Sequence, residues 1–249
     1  MKISVITVAY NSAATIADTL RTVEMQAYQN FEHLIIDGKS KDSTSEVVEA
    51  NSHTRLIFIS ESDNGIYDAM NKGIFLATGD VIGFLHSDDL YASKEVLSKV
   101  AKAFEDPDVY AVYGDLEYVS KYDTCKVIRQ WKSKSFDQHD LSWGWMPAHP
   151  TLYVRREWYV RIGGFNMGYK ISADYLSILQ LFTLSGFKSV HIPEVLVTMR
   201  LGGASNKSFQ AVVCKTKEDW QALRSCGFSV IRAGCAIAWK NLSKVRQFF

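Results

Sequence analysis

Acids at four places in this 249-residue chain are of the types and spacings that reaction chemistry uses. Asp88 and Asp89 are adjacent and close an apolar run. Such a pair suits a hard divalent cation, Mn2+ or Mg2+, which takes one or two protein carboxylates and completes its shell with water and phosphate oxygens. A cation held there would neutralise charge on a leaving diphosphate. Asp37 ends another apolar run. Asp68 and Lys72 are i,i+4 on a predicted helix and share its face, as a surface ion pair or as a carboxylate reaching a nucleoside beside a lysine on a phosphate. Asp174 opens an apolar helix, where it complements the helix dipole or serves as the base that deprotonates an attacking hydroxyl. Asp and Asn also form turns and caps, an alternative that stays open for each position taken alone.

Elements in alternation must hold these residues. Ile3–Ala9, Phe31–Asp37, Arg55–Ser60 and Asp80–Leu85 read as strands, the first a nearly continuous β-branched run suited to a buried parallel strand. Between them Ser12–Gln26 shows helical spacing at Ile16, Leu20 and Val23. Ser43 and Glu46 stand as a capping box, and Asp63-Asn64-Gly65 is a turn before a helix over Ile66–Ala77. Strand and helix in this order predict βαβ units and a twisted parallel sheet flanked by helices. Ligands of such sheets bind beyond the carboxyl ends of the strands, where Thr7, Tyr10, Asn11, Asp37, His86, Asp88 and Asp89 gather. After about residue 110 the alternation decays. Val109–Tyr118 and Thr124–Trp131 read as pairing arms, His139–His149 as an irregular loop, and Ser172–Thr183 as a helix. Val190–Met199 reads as a strand broken by Pro193, and Phe209–Leu223 as a helix.

Composition narrows the classes. Net charge is +1, with 47% hydrophobic and 22% charged residues, which excludes disordered, collagenous and coiled-coil chains and offers nothing to nucleic acid. The total hides an asymmetry: residues 1–120 hold 9 Lys+Arg against 19 Asp+Glu, and residues 121–249 hold 19 against 8. Cys125, Cys214, Cys226 and Cys235 form no CxxC pair, so reduced thiols in a cytoplasmic compartment are expected. The apolar start reads as a strand and not a signal peptide, and no apolar run is long enough for a spanning helix. The turn after the first strand has no glycine and no GxxxxGK[ST] exists, which disfavours dinucleotide and P-loop chemistry.

The stretches ISVITVAYNS, IIDGKSKDST, SDNGIYDAMNKGI, ATGDVIGFLHSDD, HPTLYVRREWYVRIGGF and ISADYLSILQL together resemble the family 2 glycosyltransferases, and the third resembles exopolysaccharide transferases of colanic-acid type. The resemblance implies an α/β fold of GT-A type over residues 1–205. Residues 1–110 would form a nucleotide-sugar-binding half, 111–205 an acceptor-binding half, and 206–249 a basic helical tail. It implies inverting transfer of a sugar from a nucleotide diphosphate sugar, UDP favoured, to a hydroxyl of a saccharide acceptor, expected to be lipid-linked, in surface polysaccharide synthesis. By position, Thr7, Tyr10 and Asp37 would hold the base, with Asn11 beside them. Asp68 and Lys72 would line the nucleotide pocket, Asp88 would sit at ribose or metal, Asp89 at the metal, and Asp174 would be the base. Trp145 and His149, with Trp143, would meet a sugar or anchor a core loop. This sequence departs from the family pattern at Lys39, at His86 in the first position of the DxD-like motif, and at Ala173 before the base. It carries no Gln-x-x-Arg-Trp motif, so processive synthesis coupled to export is not expected.

Two other readings compete. A nucleotidyltransferase would carry a Gly/Arg-rich phosphate loop after the first strand, which this chain lacks. A non-catalytic nucleotide-sugar-binding module would not need Asp37, Asp88, Asp89 and Asp174 intact. Residues 220–249 hold Arg224, Arg232, Lys240, Lys244 and Arg246 and no acid, interleaved with bulky apolar residues. They read either as a helix packed on the domain or as a surface segment attracted to anionic lipid at the inner face of the plasma membrane.

Overall fold

The computed structural model describes residues 1–202 and 209–245. Strands β1 (Ile3–Ala9), β2 (Phe31–Asp37), β3 (Leu56–Ser60) and β4 (Val81–Phe84) lie parallel in the order β3-β2-β1-β4. Every residue of β1, β2 and β4 is buried. A strand covered on both faces needs apolar residues without alternation, which is why these runs read so plainly. Helix α1 (Ile16–Glu24) buries Ile16, Leu20 and Val23, the spacing expected of it. Helix α2 (Thr44–Ala50) lacks the expected capping box. Ser43 (φ −78°, ψ 26°) is neither extended nor helical and makes no side-chain cap hydrogen bond, and Asp42 Oδ1 accepts the Thr44 N–H at 3.1 Å instead. Helix α3 (Ile66–Leu76) follows the Asp63-Asn64-Gly65 turn, with Gly65 at φ 110°.

The second half adds β5 (Asp89–Tyr91), α4 (Val96–Ala103), β6 (Ala111–Val119), β7 (Val127–Trp131), β8 (Tyr153–Arg155), α5 (Arg156–Ile162), α6 (Ala173–Phe182), β9 (Ser189–Arg200), α7 (Phe209–Ser225) and α8 (Val230–Val245). The sheet continues from β4 through β8, β6 and β9 to β5. Here β8 is antiparallel to both neighbours and β9 is parallel to β6. Strand β7 pairs antiparallel with β6, the expected arm. The α/β class therefore stands, with a parallel first half and mixed strand directions in the second. Pro193 does not break β9. The register against β6 shifts between Gly114 and Leu116, so Pro193 falls in a bulge where no ladder N–H is required. The segment read as irregular holds two 3-10 helices, Gln138–Trp143 and His149–Thr151.

Helices α7 and α8 share the main core. Ala222, Leu223, Ala233 and Ala236 cluster with Leu141, Tyr175 and Phe182. At Gly144 (φ 67°) α8 lies so close that a Cβ would overlap the Ala236 carbonyl. The expected division at 205/206 falls outside the described residues, as does Arg246, and the helices beyond it pack on the domain. No helix among the described residues is long and apolar enough to cross a membrane.

Candidate active site

A cleft of about 1970 Å³ opens beyond the carboxyl ends of β1, β2 and β4. Its floor receives Tyr10 and Asn11 after β1, Gly38–Lys41 after β2, and His86 and Asp88 after β4. Asn11 holds φ 51°, a conformation Asn tolerates better than most residues. In that pose its side chain accepts the Lys41 N–H at 2.9 Å and its N–H donates to Ser40 Oγ at 2.8 Å. Two of the strand-end loops are thereby tied together. From the second half, Trp145, His149, Lys170 and Asp174 enter the same cleft.

Several residues expected to touch a ligand are turned inward. Thr7 is fully buried and its hydroxyl donates to Leu85 O at 2.7 Å. With that one hydrogen committed, the 2.9 Å contact to His33 Nε2 makes the imidazole the donor. Burial lowers the His33 pKa to about 3, in keeping with a neutral ring. Asp37 is fully buried too, accepting from Ser40 N at 2.9 Å and Ser60 Oγ at 2.7 Å. It shapes the Gly38–Lys41 loop and does not line the cleft itself. Asp68 Oδ2 accepts the Asn64 N–H at 2.9 Å and steadies the turn that starts α3. Lys72 binds Glu61 Oε1 and Ser62 O, each at 2.8 Å, and lies 4.0 Å from Asp68. Neither Asp68 nor Lys72 lines the cleft. The shared helix face makes a loop-holding ion pair.

The adjacent acids part company. Asp88 faces the cleft, its backbone carbonyl held by Arg200 Nη1 at 2.9 Å. Asp89 begins β5 with its side chain fully buried and both oxygens without hydrogen-bond partners. Burial first, then the Asp88 charge, pushes its pKa well above the carboxylate range. Of the two acids expected at a cation, Asp88 lines the cleft and Asp89, the first residue of β5, does not.

His86 and His149 stack with ring centroids 6.3 Å apart, and His149 also stacks on Phe84 at 5.5 Å. Burial depresses both imidazoles, His149 to about 4, against the opposing pull of Asp174. Asp88 pulls on His86 as well. Asp88, from the first half of the chain, and Asp174, from the second, line the same cleft as these two imidazoles. Trp145 both lines the cleft and packs in the core, stacking on Phe136 at 5.3 Å. Trp143 is 54% exposed and meets Trp239 of α8 edge-on at 6.0 Å.

Among the described residues no three His, Cys, Asp or Glu side chains cluster as a metal cage. One cleft-facing carboxylate, Asp88, fits an ion whose remaining ligands are water and phosphate oxygens. Sequence reasoning missed Tyr67, Asn71 and Glu218, which hold the segments around Asp174. Tyr67 and Asn71 sit in the stretch SDNGIYDAMNKGI at i,i+4, the same spacing as Asp68 and Lys72.

Comparison with known proteins gives the family and the fold. The PGL/p-HBAD biosynthesis glycosyltransferase of Mycobacterium tuberculosis is 30% identical over 208 residues, 82% of this chain and 78% of that one. An uncharacterized glycosyltransferase of Nostoc sp. is 29% identical over 232 residues, 88% of this chain and 70% of the relative. The mannosyltransferase PcManGT from Pyrobaculum calidifontis, solved with GDP-Man and Mn2+, superposes with a TM-score of 0.66 at 20% identity, covering 96% of this chain and 68% of that one. Staphylococcus aureus TarS 1–349, solved with UDP-GlcNAc, gives 0.67 at 17% identity, covering 91% and 65%. These two show a shared GT-A fold. The family profile for glycosyl transferase family 2 matches residues 4–167, a span that includes the strand ends at the cleft floor, and the chain belongs to that family.

Proposed function

We propose that this glycosyltransferase moves a sugar from a nucleotide diphosphate sugar, a UDP-sugar by preference, to a hydroxyl of a saccharide acceptor with inversion at the anomeric carbon. The observation that carries the proposal is the convergence of Asp88 and Asp174 on one cleft from the two halves of the chain. Tyr10, Asn11 and the Gly38–Lys41 loop bind the nucleoside, while Thr7, Asp37, Asp68 and Lys72 hold the loops that present them. Asp88 would hold Mn2+ or Mg2+ jointly with the donor diphosphate, and the cation's charge would offset what develops on that leaving group. Asp174 takes the acceptor proton as the hydroxyl forms its bond to the anomeric carbon and the diphosphate departs with the electrons of the broken bond. One base and one displacement invert the centre, with no second carboxylate attacking the sugar. The aromatic wall of Trp143 and Trp145 suits a sugar face. GDP-Man and UDP-GlcNAc in the structural relatives support a nucleotide-sugar donor.

A lipid-linked acceptor at the inner membrane face is the second part of the proposal. The outer side of α8 leaves Val230 58%, Ile231 78% and Leu242 59% exposed on a segment without acids. That arrangement suits an anionic lipid surface. A thermal-shift panel of UDP-, GDP- and dTDP-sugars with and without Mn2+ tests the donor, and NMR of the product anomer tests inversion. No stabilisation by any of them overturns the reading. Vesicle flotation of Ile231→Ser against the parent tests the membrane part, with weaker binding to anionic vesicles expected.

A further inference from the structure

The segment that presents Asp174 is braced by two helices far from it in sequence. From α3, the Tyr67 hydroxyl donates to Ile171 O at 2.6 Å and lies 3.4 Å from Asp174 Oδ1. One turn along, Asn71 clamps the Phe165 backbone, donating from Nδ2 to its carbonyl and accepting its N–H at Oδ1, both at 2.8 Å. The Tyr67 ring stacks on Phe165 at 5.8 Å. Gly164 (φ 70°) is the residue that permits this approach, since a Cβ there would come within 2.5 Å of Asn71 Oδ1. From α7, the buried Glu218 carboxylate accepts three consecutive backbone N–H groups: Lys170 at 2.8 Å, Ile171 at 2.9 Å and Ser172 at 2.9 Å. Burial alone would raise its pKa, and these three donors outweigh it and hold it low.

The first turn of α3 also reaches the cleft, where Gly65 and Ile66 line it beside Tyr67. Donor-side helix, base segment and C-terminal helix form one hydrogen-bonded unit. We infer that Tyr67 and Glu218 are positioning residues that fix the Asp174 carboxylate for taking the acceptor proton, and that α7 belongs to the catalytic apparatus although it lies beyond the matched family span. The inference rests on Asp174 being the base, as proposed above. Displacing a reacting group by about 1 Å costs on the order of 100-fold in rate, so a brace of this kind registers in turnover before it registers in binding.

Amide hydrogen exchange and kinetics on the full chain test it. Glu218→Gln should speed exchange of the Lys170, Ile171 and Ser172 amides by about 10-fold or more while β1 amides stay unchanged. Tyr67→Phe keeps the ring on Phe165 and removes only the hydroxyl. Each variant should lower kcat by about 10- to 100-fold with the KM for the UDP-sugar chosen by the thermal-shift panel unchanged. In an Asp174→Asn background neither should lower the residual rate further. Wild-type exchange at those amides in Glu218→Gln, or wild-type kcat in both variants, overturns the inference. Full turnover by Asp174→Asn alone would instead remove the base assignment, and the exchange result would still report on the brace.

Discussion

Four carboxylates of the first 110 residues and the one at 174 occupy contrasting settings. Glu32, Asp37, Asp68 and Asp89 lie at or near strand and helix ends, yet each is turned into the protein and most are spent on backbone or hydroxyl donors. Asp174 opens into the cleft, and its surroundings are arranged by others: Tyr67 from α3 and Glu218 from α7. The strand-end half organises itself locally, through loops that bond to the acid before them. The base segment is organised remotely. Motif density and contact with substrate are therefore different properties, because a loop that must hold a fixed shape needs its own polar braces.

Substitution can break this contrast. The largest effect is expected at Asp174→Asn, which should lower transfer by about 100- to 10,000-fold while donor-induced thermal stabilisation persists. A buried bracing acid should fail in the opposite way, in stability. Burial works against ionised Glu32, but hydrogen bonds from Lys2, Ser4 and Thr78 prevail and lower its pKa to about 2. Its folded pKa lies below the unfolded one, so its stabilisation is present above pH 4.5 and lost as pH falls towards 2. Glu32→Gln should cost about 3 kcal/mol at pH 7, shrinking through that window, as followed by urea unfolding.

The adjacent acids sharpen the contrast further. Asp88→Asn should weaken Mn2+-dependent UDP binding by about 10-fold or more in calorimetry. Asp89→Asn should leave that binding unchanged, since its carboxyl is sealed from the cleft. Equal losses in both would return Asp89 to the ligand set. The smallest effect is ionic: raising salt should weaken binding of a phosphate-bearing acceptor or anionic vesicle more than binding of the donor, because exposed charges are screened within about 8–10 Å. Equal sensitivity would remove the role given to the basic second half.

Much of the fold was legible. Strands β1, β2 and β4 announced themselves because burial on both faces demands uninterrupted apolar runs, and α1 because one buried face demands 3.6-residue spacing. Errors came where long-range pairing decides. Pro193 was read as a break, but the β6 partner absorbs it in a bulge. Ser43 reads as a cap, but its backbone is not extended, its side chain makes no cap bond, and Asp42 bonds the Thr44 N–H instead. The tail's pattern leaves a packed helix and a surface segment both open, and in the structure Ala233 and Ala236 enter the main core. Small residues at a close helix contact leave a weak hydrophobic signature, so the packing was invisible in the pattern.

By itself the sequence determined the family, the parallel character of the first half and the rim where strand-end residues collect, since each follows from local patterns repeated at short range. Only the tertiary structure decided which of those residues face the cleft. A side chain's direction depends on the register and partner of its strand, so Asp88 opens outward while Asp89 is sealed one residue later. It also decided that residues 67 and 218 meet one segment near 171. Hydrogen bonds across some 50 to 100 residues leave no periodic trace in the chain that makes them.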